Sequence, residues 1–149
     1  MIELREVLES DLEPFYHHQA DPEARAMAVF PSKERDAHFE HWHRNLARPD
    51  NISRTILVDG AVAGNVVSWI ADGRRLIGYW IGREFWGRGV ATEALRSFVR
   101  EVAERPMYAE VATTNLGSVR VLEKSGFVRA DPQPIVHEDG VEEWLYKLE

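Results

Sequence analysis

The chain has 149 residues and a mass of 17.1 kDa, enough for one domain that buries roughly two thirds of its unfolded surface with no covalent staple. Eighteen Lys and Arg against 25 Asp and Glu give a formal charge of −7 and a pI near 5.4, which argues against nucleic acid or an anionic membrane as partner and favours a cationic ligand. The absence of cysteine excludes disulfides, thiolate zinc sites and a Cys nucleophile, and Met1 to Glu6 carry neither the basic nor the apolar stretch of a secretory leader. With no apolar run near the ~18 residues of a membrane helix, the expectation is a single cytoplasmic domain over 1–149.

Ile2, Leu4 and Val7 alternate with polar residues as in a strand, and Ser10 to Pro14 offer start signals for a helix through His17 to Gln19. A second helix is predicted from Ser32 to Leu46. Asp59-Gly60, Asp72-Gly73 and Asp139-Gly140 each separate runs rich in Val, Ile, Trp and Tyr, the strongest short-range hairpin signal. They predict an antiparallel meander over 53–58, 61–70 and 74–82, and a last hairpin over 134–138 and 141–148. Ala91, Leu95, Phe98, Val99 and Val102 then recur at helical spacing up to Arg105-Pro106, Met107 to Thr113 read as a strand, and Asn115 to Ser125 as a helix closed by Gly126. The fold class is mixed α/β: a mostly antiparallel sheet, one central parallel β-α-β crossover and about four flanking helices.

The charge is uneven. Residues 1–50 hold eleven acids and six bases, and residues 131–149 hold six acids and one base, whereas 73–100 hold six arginines against Glu84 and Glu93. Within this basic segment, Trp86-Gly87-Arg88-Gly89-Val90-Ala91-Thr92 is a strand-to-helix turn of small residues, and free backbone N–H groups at a helix N-terminus suit phosphate or pyrophosphate. It matches neither a P-loop nor the dinucleotide fingerprint, whose third glycine falls on Thr92. Gly78 and Gly82 interrupt the strand before it, which suggests that something lies along that strand. His38, His41 and His43 cannot converge on one metal from a regular helix. No metal site is expected. Trp69, Trp80 and Trp144, on predicted strands, are expected to pack in the core, while Trp42 is placed toward a groove.

Ile81 to Leu95 resemble the acyl-CoA-binding motif of the GNAT superfamily of N-acetyltransferases. Gly89 and Ala91 fill the last two places of [QR]-x-x-G-x-[GA], and Trp86 stands in the Gln/Arg place, as in the Trp-Gly-x-Gly branch of ribosomal-protein N-terminal acetyltransferases. Asn115-Leu116-Gly117-Ser118, with Lys124, Gly126 and Phe127, is similar to the segment flanking the pantetheine arm in that family. The resemblance implies acetyl-CoA as cosubstrate, with its phosphates and pantetheine held by Ile81, Gly82, Arg83, Gly87, Arg88, Gly89, Val90, Ala91, Thr92, Asn115 and Ser118. It implies direct attack by a primary amine, a peptide N-terminus or a cationic small molecule, without nucleic acid or membrane; a homodimer is left open. An ammonium must lose its proton before it attacks, and Glu110 is the expected base. Leu122 stands where many members carry a tyrosine acid, which leaves Ser118 as the expected group beside the leaving sulfur. His137 is a further candidate for the acceptor side. A non-catalytic acyl-CoA sensor is the alternative, and a regulatory nucleotide-binding domain is a third reading.

Overall fold

A computed structural model describes residues 1–28 and 34–149. The chain runs β1 (Ile2–Glu6), α1 (Leu12–Ala20), α2 (Pro22–Ala28), α3 (Arg35–Leu46), β2 (Ile52–Val58), β3 (Ala61–Ala71), β4 (Arg74–Ile81), α4 (Val90–Glu101), β5 (Met107–Ala112), α5 (Leu116–Lys124), β6 (Val128–Arg129), β7 (Ile135–Val136) and β8 (Glu142–Leu148). Among the described residues the sheet has eight strands in the order β1-β2-β3-β4-β5-β8-β6, with β7 also on β8, and only β4 and β5 run parallel. The expected fold class stands. Among the described residues the helix count rises to five because α2 was not foreseen, and β6 is a further addition. The predicted start of the second helix at Ser32 lies outside the described residues. Among the described residues no helix is long and apolar enough to cross a membrane.

Two of the three Asp-Gly pairs turn as their chemistry demands, with positive φ at both residues: 49° and 85° at Asp59-Gly60, and 52° and 73° at Asp72-Gly73. The third does not. At Asp139-Gly140 only the glycine is left-handed, and the His137 amide donates to the Val141 carbonyl at 2.9 Å, so the last hairpin has a longer loop and a two-residue β7.

The sheet separates two hydrophobic clusters. On one face Ile56, Val66, Ile77 and Ile81 pack under Val90, Ala94, Leu95 and Phe98 of α4, and Met107, Val111 and Tyr146 continue that layer. On the other, Leu12 and Phe15 of α1 and Trp42 of α3 pack over Val62 and Val67. A bulge between Ile56 and Leu57 lets Gly64 face Ile56 while Val62 faces Leu57. Beneath α1, buried Asp11 receives Arg5, the Leu8 amide and the Thr55 hydroxyl at 2.6, 2.8 and 2.7 Å. Burial alone would raise its carboxyl, but these donors together hold it below the usual range.

Candidate active site

The parallel pair opens the site. β4 and β5 are in register only at Arg75 with Met107 and Leu76 with Tyr108, while β5 stays paired to β8 along all six residues from Met107 to Ala112. The two strands therefore part beyond Leu76. Tyr79, Trp80, Asn115 and Ser118 line both of the clefts that meet in this gap.

One cleft, of about 480 Å³, lies over the glycine-rich turn. β4 ends at Ile81, whose carbonyl accepts the Trp86 indole N–H at 2.9 Å, and a single 3-10 turn follows over Arg83–Phe85. Gly87 and Gly89 are left-handed, with φ of 75° and 74°, and a Cβ on either would meet no heavy atom within 4 Å. The need for glycine here is the dihedral, and the side not taken by backbone is open. The first bond of α4 runs from the Glu93 amide to the Gly89 carbonyl at 3.1 Å, so the amides of Val90, Ala91 and Thr92 have no acceptor within the helix and point at the cleft end.

Of the residues expected to bind cofactor, Ile81, Gly87, Gly89 and the first turn of α4 line this cleft together with Asn115 and Ser118. Gly82, Arg83 and Arg88 do not. The Gly82 amide is taken by the Ala63 carbonyl at 2.8 Å, Arg83 lies 3.4 Å from both Asp21 and Glu23, and the Arg88 guanidinium sits 5.6 Å from the Phe85 ring centroid. The glycines of β4 also have an internal reason. A Cβ at Gly82 would stand 2.7 Å from the His18 ring, and one at Gly78 would stand 3.3 Å from Trp69, so the space they leave is filled by the protein's own side chains.

At the middle of the gap, the Asn115 side chain caps α5 by accepting the Ser118 amide at 3.2 Å. The Ser118 hydroxyl meets the Tyr79 hydroxyl at 2.5 Å. Burial pushes the Tyr79 phenol up to about 12 against the opposing effect of that hydrogen bond, so it stays protonated at neutral pH. Tyr79 was not among the expected site residues: the tyrosine place of the resembled family is Leu122, which is 2% exposed and part of the core, whereas this phenol arrives from β4 across the gap. Only the tertiary pairing of β4 with α5 shows it.

The second cleft, of about 780 Å³, lies on the α1 and α3 face of the sheet. Glu110 stands opposite Leu145, and Glu143 opposite Ala112, which makes the two carboxylates diagonal neighbours on one face. His137 Nε2 is 2.6 Å from Glu143 Oε1, and one ligand atom from each of Glu110, His137 and Glu143 falls within 4.8 Å of the others. Loss of water around the Glu110 carboxyl, then the charge and hydrogen bond of Glu143, raise its pKa above the ordinary range, while His137 and Arg74 pull it down. Trp42 does reach this cleft. Trp69 and Trp80, expected in the core, are half-buried and line it as well, because β3 and β4 turn these side chains to the face that α1 and α3 cover only partly. His41 pairs with Asn45 at 2.9 Å and His43 with Glu9 at 2.8 Å, so the three helix histidines do not converge.

A parallel pair that splays at its centre, a left-handed glycine turn opening a helix and an Asn-capped second helix are features of one architecture, and comparison with known proteins bears on it directly. The family model described as the acetyltransferase (GNAT) domain matches residues 2–128. A Bacillus subtilis (strain 168) protein named "Putative ribosomal N-acetyltransferase YdaF" is 31% identical over 101 residues, 63% of this chain. The matched stretch spans only 55% of that protein's length. The Vibrio cholerae spermidine N-acetyltransferase in complex with CoA and spermine superposes with a TM-score of 0.84 at 14% identity, covering 99% of this chain and 94% of that one. The ribosomal L7/L12 alpha-N-protein acetyltransferase RimL, in complex with coenzyme A, superposes with a TM-score of 0.82 at 17% identity, covering 99% and 93%. These two likenesses establish the fold, and the family match over most of the length establishes that the chain belongs to the GNAT acetyltransferase domain family.

Proposed function

We propose that this single domain is an acetyl-CoA-dependent N-acetyltransferase that moves an acetyl group onto a primary amine by direct attack. The observation that carries the reading is the gap beyond Leu76: it joins a turn of free backbone donors on one side to a raised carboxylate on the other. The donors fit a pyrophosphate, because Gly87, Arg88, Gly89, Val90, Ala91 and Thr92 offer amides at a positive helix end, and Arg120 and Lys124 line the same cleft. The gap-facing edge of β4 beyond Leu76, short of Ile81 and Gly82 whose carbonyls are already taken, suits an extended arm that carries amides of its own. Acetyl-CoA supplies an activated thioester carbonyl. Structures of family members in complex with coenzyme A support this assignment.

Glu110 accepts the proton of the incoming ammonium, directly or through water, and its raised pKa brings it nearer to the amine it serves. Ser118 faces the departing sulfur, and Tyr79, held protonated behind it, passes a proton through the serine or steadies it as a donor. Asn115 fixes the end of α5 that presents Ser118. No metal is assigned a role, and a cytoplasmic location accords with the cysteine-free sequence. The test is thiol release from acetyl-CoA in the presence of primary amines, with mass detection of the acetylated product. Tight acetyl-CoA binding without thiol release for any amine would instead mark a sensor.

A further inference from the structure

The acceptor cleft has a lopsided chemistry. Among the described residues lining it, the carboxylates are Glu110 and Glu143, both at the β5–β8 end, and no Lys or Arg is present. Away from that end the lining is aromatic, as at Trp42, Trp69 and Trp80, or neutral and hydrogen-bonding, as at Asn51, Ser53 and Asn65. A buried ammonium needs a carboxylate or a comparable partner, because taking an unpaired charge out of water costs several kcal/mol. One cationic centre is matched here. A second, placed away from that end, meets ring faces, His38, His41 and neutral amides but no carboxylate among the described residues, and a cation over an aromatic ring recovers only ~0.5–2 kcal/mol.

We propose, resting on the reading of this cleft as the acceptor half of an acetyltransferase, that its substrates are primary amines with a single positive charge, at the reacting nitrogen, on an uncharged body bearing aromatic or amide groups. Glu110 and Glu143 receive the ammonium. Glu110 then takes one of its protons, the nitrogen forms its bond to the acetyl carbon, the bond from that carbon to sulfur breaks, the thiol leaves with a proton from the Ser118 and Tyr79 hydroxyls, and the second proton that the nitrogen sheds restores that pair. The rest of the acceptor lies along Trp69 and Trp80 with its polar groups toward Asn51 and Asn65. Polyamines and aminoglycosides, with several ammonium groups, are poor substrates on this account, although relatives of the same fold are named for them.

The deciding measurement is kcat/KM by thiol release for 2-phenylethylamine and phenylalaninamide against spermidine and kanamycin, with the full chain and saturating acetyl-CoA. The expected result is at least a tenfold preference for the two monocations, and a gain for spermidine relative to 2-phenylethylamine in Ser53→Asp, which sets a carboxylate in the neutral stretch. Equal or better use of the polycations by the unaltered chain overturns this inference while leaving acetyl transfer intact. Thiol release that no amine accelerates overturns both the inference and the acetyltransferase reading beneath it.

Discussion

The two halves of the gap are built by different means. Over the glycine-rich turn the groups presented are backbone amides and a helix end, set by the left-handed Gly87 and Gly89, with side chains of α2 and α5 closing the cleft. On the other side they are side chains gathered from α1, α3, β3, β4, β5 and β8. A site built from backbone depends on local conformation, so it is sensitive to dihedral angle and indifferent to most side chains. A site built from distant side chains can be retuned one residue at a time without touching the first.

The largest expected effect falls on the acceptor half. Glu110→Gln should lower kcat/KM by about 10²–10⁴ near neutral pH and leave acetyl-CoA affinity unchanged by calorimetry. The sign with pH follows from the raised carboxyl: Glu110 is active only when ionised, so the rate climbs as pH passes its folded pKa, above the ordinary carboxylate range. Glu143→Gln removes the neighbouring negative charge and should move that limb to lower pH. Wild-type rates for Glu110→Gln across the pH range would show that the base lies elsewhere.

Gly89→Val strikes the other half. With φ at 74° and open space around the position, the valine is disfavoured by its backbone rather than by a clash, at ~1–2 kcal/mol or more. Acetyl-CoA should bind at least about tenfold more weakly, ~1.4 kcal/mol, with the fold retained in a thermal melt. Unchanged affinity would remove the turn from the binding site.

These two halves were not equally legible. The turn could be read from Trp86 to Thr92 because its chemistry needs only glycines at fixed offsets before a helix, and the Asp-Gly pairs gave the meander for the same local reason. Glu110 was expected from its place on the strand after the glycine-rich helix, where members of the resembled family often carry a glutamate. Glu143 and Tyr79 were not. Glu143 matters through its register on β8, 33 residues from Glu110, and Tyr79 through the 2.5 Å contact with Ser118, and neither pairing leaves a mark on spacing or composition. The assignment of Trp69 and Trp80 to the core failed for a related reason: aromatic residues on strands look alike whether the face above them is filled or left as a cleft.

The boundary between the halves is tested by the hydroxyl pair. Tyr79→Phe and Ser118→Ala each remove one member, and each should lower kcat about tenfold if the pair supports the leaving sulfur. Acting on one proton path, they should not add: the double variant should fall close to either single one. Additive losses, measured by the same thiol-release assay, would mean that the two hydroxyls act separately and that Tyr79 belongs to the acceptor half.

Gly78→Ala gives the smallest effect and the cleanest separation. If the glycine makes room for the cosubstrate along β4, alanine should weaken acetyl-CoA binding. Its Cβ, however, would stand 3.3 and 3.4 Å from two atoms of the Trp69 ring, on the face that lines the acceptor cleft, while the edge of β4 that faces the gap gains no atom. The ring must give by a few tenths of an ångström, and it can do so only into that cleft. Acetyl-CoA affinity should therefore hold, the loss of a strand glycine should offset the crowding with ~0.5–1 kcal/mol of lower unfolded-state freedom, and the acceptor KM should rise about twofold. A weaker cosubstrate with an unchanged acceptor KM would reverse the assignment of this face and place the cosubstrate arm where the tryptophan now stands.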